Sequence, residues 1–89
     1  MVGEICPVDV ISVCSACGEL RPLRLRVEGG EQGTLRVDID EVLRVKDISY
    51  VGVEARIFLC RGTAEGRQWV FELKYTIRSH CWCLMKRLY

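Results

Sequence analysis

The sequence lacks a long apolar run, a charge excess and a secretory leader, and each absence argues against a class of protein. No apolar stretch reaches the roughly 18 residues that a membrane-spanning helix needs. The first residues, MVGEICPVDVISV, carry Glu4 and Asp9 where a signal peptide would have basic residues and then an unbroken apolar segment. Thirteen Lys and Arg against twelve Asp and Glu leave a net charge of +1, whereas nucleic-acid modules usually carry a clear basic excess. We therefore expect a cytoplasmic protein that does not act on a membrane.

The sequence is also poor in the residues of an active site. His80 is the only histidine, and no serine or aspartate stands at a recognisable catalytic spacing from it. The glycine-rich segment EGGEQG lacks the lysine and the strand–loop–helix setting of a phosphate loop. A cysteine nucleophile paired with His80 is the remaining enzymatic alternative, but no family signature accompanies it. We expect no enzyme.

The 89 residues fit one domain, 1–89, because chains of this length fall below the usual size for two cores. The hydrophobic fraction of 49% predicts a folded chain rather than a disordered tail. So small a core leaves a narrow margin of stability, and a metal or another staple would widen it.

The hydrophobic pattern has a period of two, which is typical of half-buried strands. The alternation is visible in RPLRLRVE, TLRVDIDEV, ARIFLCRG and RQWVFELKYTI. Only the segment around Asp40 to Lys46 could hold a helical turn, and its own alternation argues against more. The residues predicted to form the core are Leu23, Leu25, Val27, Leu35, Val37, Ile39, Ile57, Leu59, Trp69, Phe71 and Leu73.

Turn residues separate these strands at hairpin spacing. SACGELRP, EGGEQGT and RGTAEGR each contain glycine, which adopts a positive φ without steric cost. Short strands joined by such turns predict an all-β fold, a small and partly open antiparallel barrel of about five or six strands, SH3-like or OB-like.

The same order of segments resembles a group of small uncharacterised bacterial β-domain proteins. The resemblance rests on VDVISV, CGELRPLRLRVEG, LRVDIDEVLRV, ARIFLCRG, RQWVFELKY and CWCL, which together cover most of the chain. It implies a compact β-domain and no known activity. Those proteins have Asp-Gly in the first turn where this chain has Cys17-Gly18, so Cys17 occupies a turn position.

Six cysteines are many for a chain expected in a reducing compartment. Cys14 and Cys17 have the Cys-x2-Cys spacing at which a tight turn points two thiolates at one Zn²⁺. Cys81 and Cys83 stand two apart in the predicted last strand, so their side chains share one face. The four thiols together would form a zinc site that staples the two ends of the domain.

The alternative is that these thiols are inert, and we favour it. A zinc ribbon has a second Cys-x2-Cys, whereas this chain has Cys-x-Cys. Free cysteine is commonly a small buried hydrophobe, as we expect for Cys6 and Cys60. A third alternative is redox chemistry, but the turn and strand that follow Cys17 supply no helix N-terminus to lower a thiol pKa. We therefore expect no cofactor and keep zinc as the alternative.

The last strand has two partly apolar faces. If Trp82 and Leu84 point into the core, Cys81 and Cys83 face outward; in the opposite phase the thiols are buried. Periodicity alone does not choose between the two phases.

A basic face is the second candidate site. Small β-barrels bind single-stranded nucleic acid through a basic surface with stacking aromatic rings. The residues that would form such a surface are Arg24, Arg26, Arg36, Lys74 and, if exposed, Trp82. The competing interpretation is a mixed, solvated face, because acidic residues such as Asp38 and Asp40 share the same strands.

We expect a non-enzymatic binding or interaction module. An open barrel has strand edges that must be covered or used, which favours self-association or a protein partner. Single-stranded nucleic-acid binding and a zinc-stapled structural domain are the alternatives.

Overall fold

The computed structural model describes residues 6–28 and 33–88, apart from the side chains of Glu28 and Tyr50. It contains seven strands: β1 (Cys6–Pro7), β2 (Asp9–Cys14), β3 (Leu20–Glu28), β4 (Thr34–Tyr50), β5 (Val53–Ala64), β6 (Arg67–Thr76) and β7 (Cys81–Arg87). Every pairing is antiparallel, and the sheet order is β1-β7-β6-β5-β4-β3-β2. The sheet curls into a half-barrel, which confirms the all-β, open antiparallel architecture.

The strand count is a correction to the sequence analysis, which predicted five or six strands where the structure has seven. The extra strand arises because the first segment divides at Val8 into β1 and β2. β1 pairs with β7 and β2 pairs with β3, so one continuous segment supplies both edge strands of the sheet. The Val8 amide extends the first of these pairings, since it donates a hydrogen bond to the Trp82 carbonyl over 3.1 Å. Alternation in VDVISV shows a strand but not a change of partner within it.

Two of the three predicted turns, those in SACGELRP and RGTAEGR, are tight turns that join consecutive strands. Gly18 between β2 and β3 has a φ of 88°, and Glu65 and Gly66 between β5 and β6 have φ values of 51° and 75°. A third two-residue turn, Val51-Gly52 between β4 and β5, also has positive φ at both residues. Two positive φ values are the signature of the type I′ hairpin turn. Residues 29–32 of the predicted EGGEQGT turn lie outside the described residues.

The core lies on the inner face of the curled sheet. Its buried side chains are Leu25, Val37, Phe58, Cys60, Ala64, Phe71, Leu73 and Trp82. Four predicted core residues are in this group, and four more pack partly buried against it, namely Val27, Leu35, Ile39 and Trp69. Aromatic rings bridge strands within it, since Trp82 lies 5.5 Å from Phe58 and 4.8 Å from Tyr75 between ring centroids.

Three of the predicted core residues are not core. Ile57 and Leu59 lie opposite Lys74 and Glu72, and opposite residues of an antiparallel pair share a face, so this is the outer face of β5. The inner face carries Phe58 and Cys60 instead. Both faces of IFLC are apolar, so alternation does not reveal the phase of the strand.

Leu23 is displaced for a different reason. Ile11 pairs with Arg24 while the next residue, Ser12, pairs with Pro22, so Leu23 is the extra residue of a β-bulge. The bulge reverses the phase of β3, which turns Pro22 inward and leaves Leu23 38% exposed.

Two further bulges interrupt β4. Asp40 is the extra residue between the pairs Ile39–Gly62 and Glu41–Arg61, and Leu43 is the extra residue between Val42–Cys60 and Arg44–Leu59. A bulge bends its strand and increases the local twist. The segment that could have held a helical turn is therefore a bent strand.

β4 and β5 approach closely at Gly62. A Cβ atom there would lie 2.6 Å from the Asp38 carbonyl oxygen and 3.2 Å from the Phe71 ring. Only glycine lets β5 lie this close to β4 without moving backbone, and the pair Ile39–Gly62 immediately precedes the bulge at Asp40.

Within residues 6–28 and 33–88, the structure contains no helix long and apolar enough to cross a membrane.

Candidate functional site: an open strand edge beside β3

The Cys14–Cys17 turn is organised by a serine hydroxyl. Ser15 Oγ accepts hydrogen bonds from the backbone amides of Cys17 and Glu19 at 3.3 and 3.0 Å. The Gly18 amide donates to the Ser15 carbonyl oxygen at 2.9 Å. Both thiols are exposed at the end of the β2–β3 hairpin. Three backbone amides of the turn are thus satisfied by Ser15.

Cys81 and Cys83 lie on the outer face of β7. They are opposite Thr76 and Lys74, while Trp82 on the other face is buried in the core. Among the described residues, which include all four predicted ligands, no three metal-ligating side chains lie close enough to hold one ion. The structure therefore does not assemble Cys14, Cys17, Cys81 and Cys83 into the predicted zinc site.

Cys60 has the properties of an inert thiol. It is fully buried, and burial raises the pKa of its thiol from 9.0 to about 12. A thiol with so high a pKa stays protonated at neutral pH, and only the thiolate is a strong nucleophile or metal ligand. The prediction that Cys60 is a buried hydrophobe is confirmed.

The predicted basic face is largely neutralised by ion pairs. Arg24 Nε lies 2.6 Å from Asp38 Oδ1, and Arg26 Nη2 lies 2.5 Å from Asp9 Oδ2. Arg36 is exposed opposite Arg26 on the same outer surface. This arrangement is the mixed, solvated face that was the competing interpretation.

The other two predicted nucleic-acid contacts do not join that surface. Lys74 lies on the outer face of β6, beyond β5. Trp82 is only 9% exposed, so its ring is not available for stacking on a base. The sheet does not bring the five predicted residues together.

His80 forms a pair with Tyr75 rather than with a cysteine. Tyr75 Oη and His80 Nδ1 lie 2.8 Å apart at an exposed turn. The hollow that Cys14 lines at this end of the sheet contains Arg56 and Tyr75 but not His80.

The feature that the sequence did not predict is a cleft between β3 and β4. Their ladder joins Arg24–Glu28 to Thr34–Asp38, and no pairing between them continues beyond it in the described chain. From Ile39 to Tyr50, β4 pairs only with β5, and Leu20–Leu23 of β3 pairs only with β2. Two unpaired backbone edges therefore face each other across a gap.

We call this gap the β3–β4 cleft, and its walls are mainly apolar in the part nearest the β2–β3 turn. The part nearest the β2–β3 turn has a volume of about 360 Å³. The side chains that line this part are Val13, Ser15, Glu19, Leu20, Arg21, Val42, Val45 and Phe58. Val45 is 50% exposed, and the neighbouring bulge residue Leu43 is 43% exposed. Apolar side chains beside a free strand edge are what sheets usually hide from water.

The charges at the rim of the cleft are unbalanced. Two nearby carboxylates are neutralised, since Glu41 pairs with Arg61 and Asp47 Oδ1 accepts from Arg56 Nε at 2.6 Å, whereas Asp40 accepts a hydrogen bond from the neutral Thr63 hydroxyl. Within the described part of the chain, Arg21, Arg44 and Lys46 form no ion pair and no side-chain hydrogen bond. Arg44 and Lys46 lie on the outer face of β4, in alternation with the inward Val45.

A weak signal for this cleft exists in the sequence. Strict alternation in LRVDID breaks at Glu41 and Leu43, which are adjacent to or part of the two bulges. A break in period-two patterning within a long strand indicates a bulge, but it does not indicate which adjacent strand stops pairing with it.

No family model, curated protein or solved structure matches the chain. The resemblance to small bacterial β-domain proteins accordingly stays a prediction.

Proposed function

We propose that this chain is a non-enzymatic protein-interaction module that accepts an extended strand of a partner on the free edge of β4. The observation that carries the proposal is the length of that edge, Ile39–Tyr50, which is paired on one side only. Strand addition supplies backbone hydrogen bonds along such an edge, and pockets for alternate side chains supply specificity.

The β3–β4 cleft provides such a pocket. Val42 and Val45 lie on the inner face of β4, opposite Cys60 and Phe58. Alternate side chains of an added strand would enter the cleft between them and the Leu20 side chain. The Phe58 ring, 1% exposed, contributes to the lining.

The proposal keeps the SH3-like or OB-like barrel as the fold class. What supports it is that the first segment supplies both edge strands of the curled sheet, β1 and β2. Self-association is included as one form of strand docking, with a second copy as the partner.

The test is selection of extended peptides from a displayed random library on the immobilised chain and on two matched variants. Val45→Lys places a charge on the inner face of the free edge, a device that natural sheets use to block strand addition. Val53→Lys is the control, because Val53 is 49% exposed, close to the 50% of Val45, but lies near the β4–β5 turn and away from the cleft lining.

We expect peptides that bind the wild-type chain and Val53→Lys but not Val45→Lys, and that slow amide exchange in residues 44–47. Peptides that bind Val45→Lys equally well would contradict the proposal, as would a selection that yields none.

A further inference from the structure

We infer that the strand accepted by β4 alternates apolar and acidic residues, with the acidic side chains facing outward against Arg44 and Lys46. The inference rests on the proposed function and adds the chemistry of the partner. It is carried by the alternation along β4, where outward cations flank the inward Val45.

The first step concerns the faces of an added strand. Residues directly opposite each other across a strand pair have their side chains on the same face. A residue opposite Val45 therefore points into the apolar cleft, and residues opposite Arg44 and Lys46 point outward beside two cations. Opposite charges at such positions stabilise the pair and like charges destabilise it.

The second step concerns which charges remain available. Glu41 and Asp47, the acidic neighbours of these cations along β4, are engaged by Arg61 and Arg56. Arg21, on the far wall of the cleft, adds a third cation, whereas two carboxylates of the described cleft lining, Glu19 and Asp40, form no ion pair. The net charge offered to an incoming strand is positive, so an acidic strand is complementary to it.

The third step separates a heterologous partner from a second copy. Antiparallel pairing of two β4 edges centred on Val45 sets Arg44 opposite Lys46, and centring on Lys46 sets two lysines opposite each other. Pairing Val42 with Val45 across the two-fold axis, with Leu43 bulged in both copies, sets Arg44 opposite Arg44. Each of these registers places like charges together, which argues against self-pairing along this edge.

The experiment uses three synthetic peptides long enough to cover Val42 to Ser49. One alternates valine and aspartate, one alternates valine and lysine, and one has the composition of the first arranged as a valine block and an aspartate block. Binding to the full chain is measured by fluorescence anisotropy at low and high salt, together with amide exchange of β4.

We expect the valine–aspartate peptide to bind about tenfold or more tightly than the valine–lysine peptide. The block peptide should not bind, because it cannot place its apolar residues on one face. High salt should weaken binding of the acidic peptide, since the outward charges are exposed and screened.

Charge reversal provides the matched variants. Arg44→Glu with Lys46→Glu should exchange the preference, so that the lysine peptide binds more tightly than the aspartate peptide. Arg67→Glu makes the same kind of change at an exposed residue beside the β5–β6 turn, away from the cleft, and should leave both affinities unchanged.

Equal binding of the aspartate and lysine peptides would overturn the inference, and so would no binding by any of the three. Neither result would overturn strand docking itself, because the library selection with Val45→Lys decides that separately. Sedimentation that shows a dimer dispersed by Val45→Lys would also overturn the inference, because it would identify a second copy as the occupant.

Discussion

The two halves of the sheet differ in how their strands are paired. The ladder between β5 and β6 runs from Ala55–Thr76 to Ala64–Arg67 without a register shift. The ladder between β3 and β4 ends at Asp38, and the two strands then separate around the β3–β4 cleft. Both halves contain alternating apolar residues, so hydrophobic composition does not explain the difference.

The difference follows the bulges. Leu23, Asp40 and Leu43 are the extra residues of three bulges on β3 and β4, the strands that border the cleft. Among β5, β6 and β7 the described ladders contain one further bulge, with Met85 of β7 as its extra residue. Each bulge bends its strand, and bends on both sides of one ladder move its strands apart. The register shifts at these bulges thus leave β4 with an open edge, and the cross-strand hydrogen bonds that β3 would make beyond Asp38 are not formed.

The largest expected contrast comes from the same substitution in each half. Leu73→Ala removes a fully buried side chain from β6 and should lower the free energy of unfolding by about 2–5 kcal/mol, since a cavity remains. Leu43→Ala at the cleft should change it by less than about 0.5 kcal/mol, because Leu43 is 43% exposed. Denaturant unfolding of both variants checks this, and equal losses would show that the cleft is packed.

The second prediction is that the free energy of unfolding depends on pH through Cys60, which lies on β5 in the core. The Cys60 pKa is raised to about 12 by burial, so the folded chain holds this proton more tightly than the unfolded chain does. Stability from Cys60 is present below about pH 9 and is lost as pH rises toward about 12, with a slope of up to about 1.4 kcal/mol per pH unit.

The Cys60→Ala variant isolates this contribution from other groups that titrate in the same range. Its stability should fall less steeply between about pH 9 and 12 than that of the wild-type chain, when both are unfolded in urea. Parallel pH profiles would mean that the Cys60 thiol reaches solvent in the folded state.

Gly62→Ala tests the point where the two halves meet. The added methyl group would press on the Asp38 carbonyl oxygen and the Phe71 ring, so we expect a loss of about 1–3 kcal/mol. Gln68→Ala, at an exposed position opposite Thr63, is the control and should be nearly neutral. A neutral Gly62→Ala would show that β4 and β5 are not in close contact there.

The smallest effect concerns the turns. Val51 is a β-branched residue with a φ of 52°, a conformation that asparagine adopts more easily. Val51→Asn should therefore raise the free energy of unfolding by about 1 kcal/mol. Glu65→Asn, at the equivalent position of the β5–β6 turn, should stabilise by less, because glutamate is not β-branched. A loss of stability in Val51→Asn would imply that the Val51 side chain makes a contact of its own.

Much of the fold follows from period-two patterning and turn glycines. These predict β3, β5 and β6 and the turns at Gly18 and Gly66, because local geometry alone sets them. The phase of β5 was wrong, since Ile57 and Leu59 are as apolar as Phe58 and Cys60. Long-range register depends on tertiary packing, so no short segment of the sequence predicts it. This applies to the division of the first segment into two strands and to the end of the pairing between β3 and β4.

The candidate site was harder to predict than the fold. Thiols and arginines were chosen as candidate site residues because their chemistry is distinctive. In the structure Arg24 and Arg26 are ion-paired, and the four predicted zinc ligands do not form one metal site. Val42, Val45, Arg44 and Lys46 belong to no recognisable motif in the sequence. Their significance arises only because the strand beside them ends its pairing.

The most direct test is residue-resolved amide hydrogen exchange along β4 and β5 in the isolated chain, at a concentration where sedimentation shows a monomer. In a strand paired on both sides every amide is bonded, whereas an edge strand leaves every second amide free. We predict slow exchange throughout residues 56–59 of β5, which pair with both β4 and β6, and fast exchange at alternate residues of 44–47 in β4. Uniformly slow exchange across residues 44–47 would show that the edge is already covered, and would contradict the account.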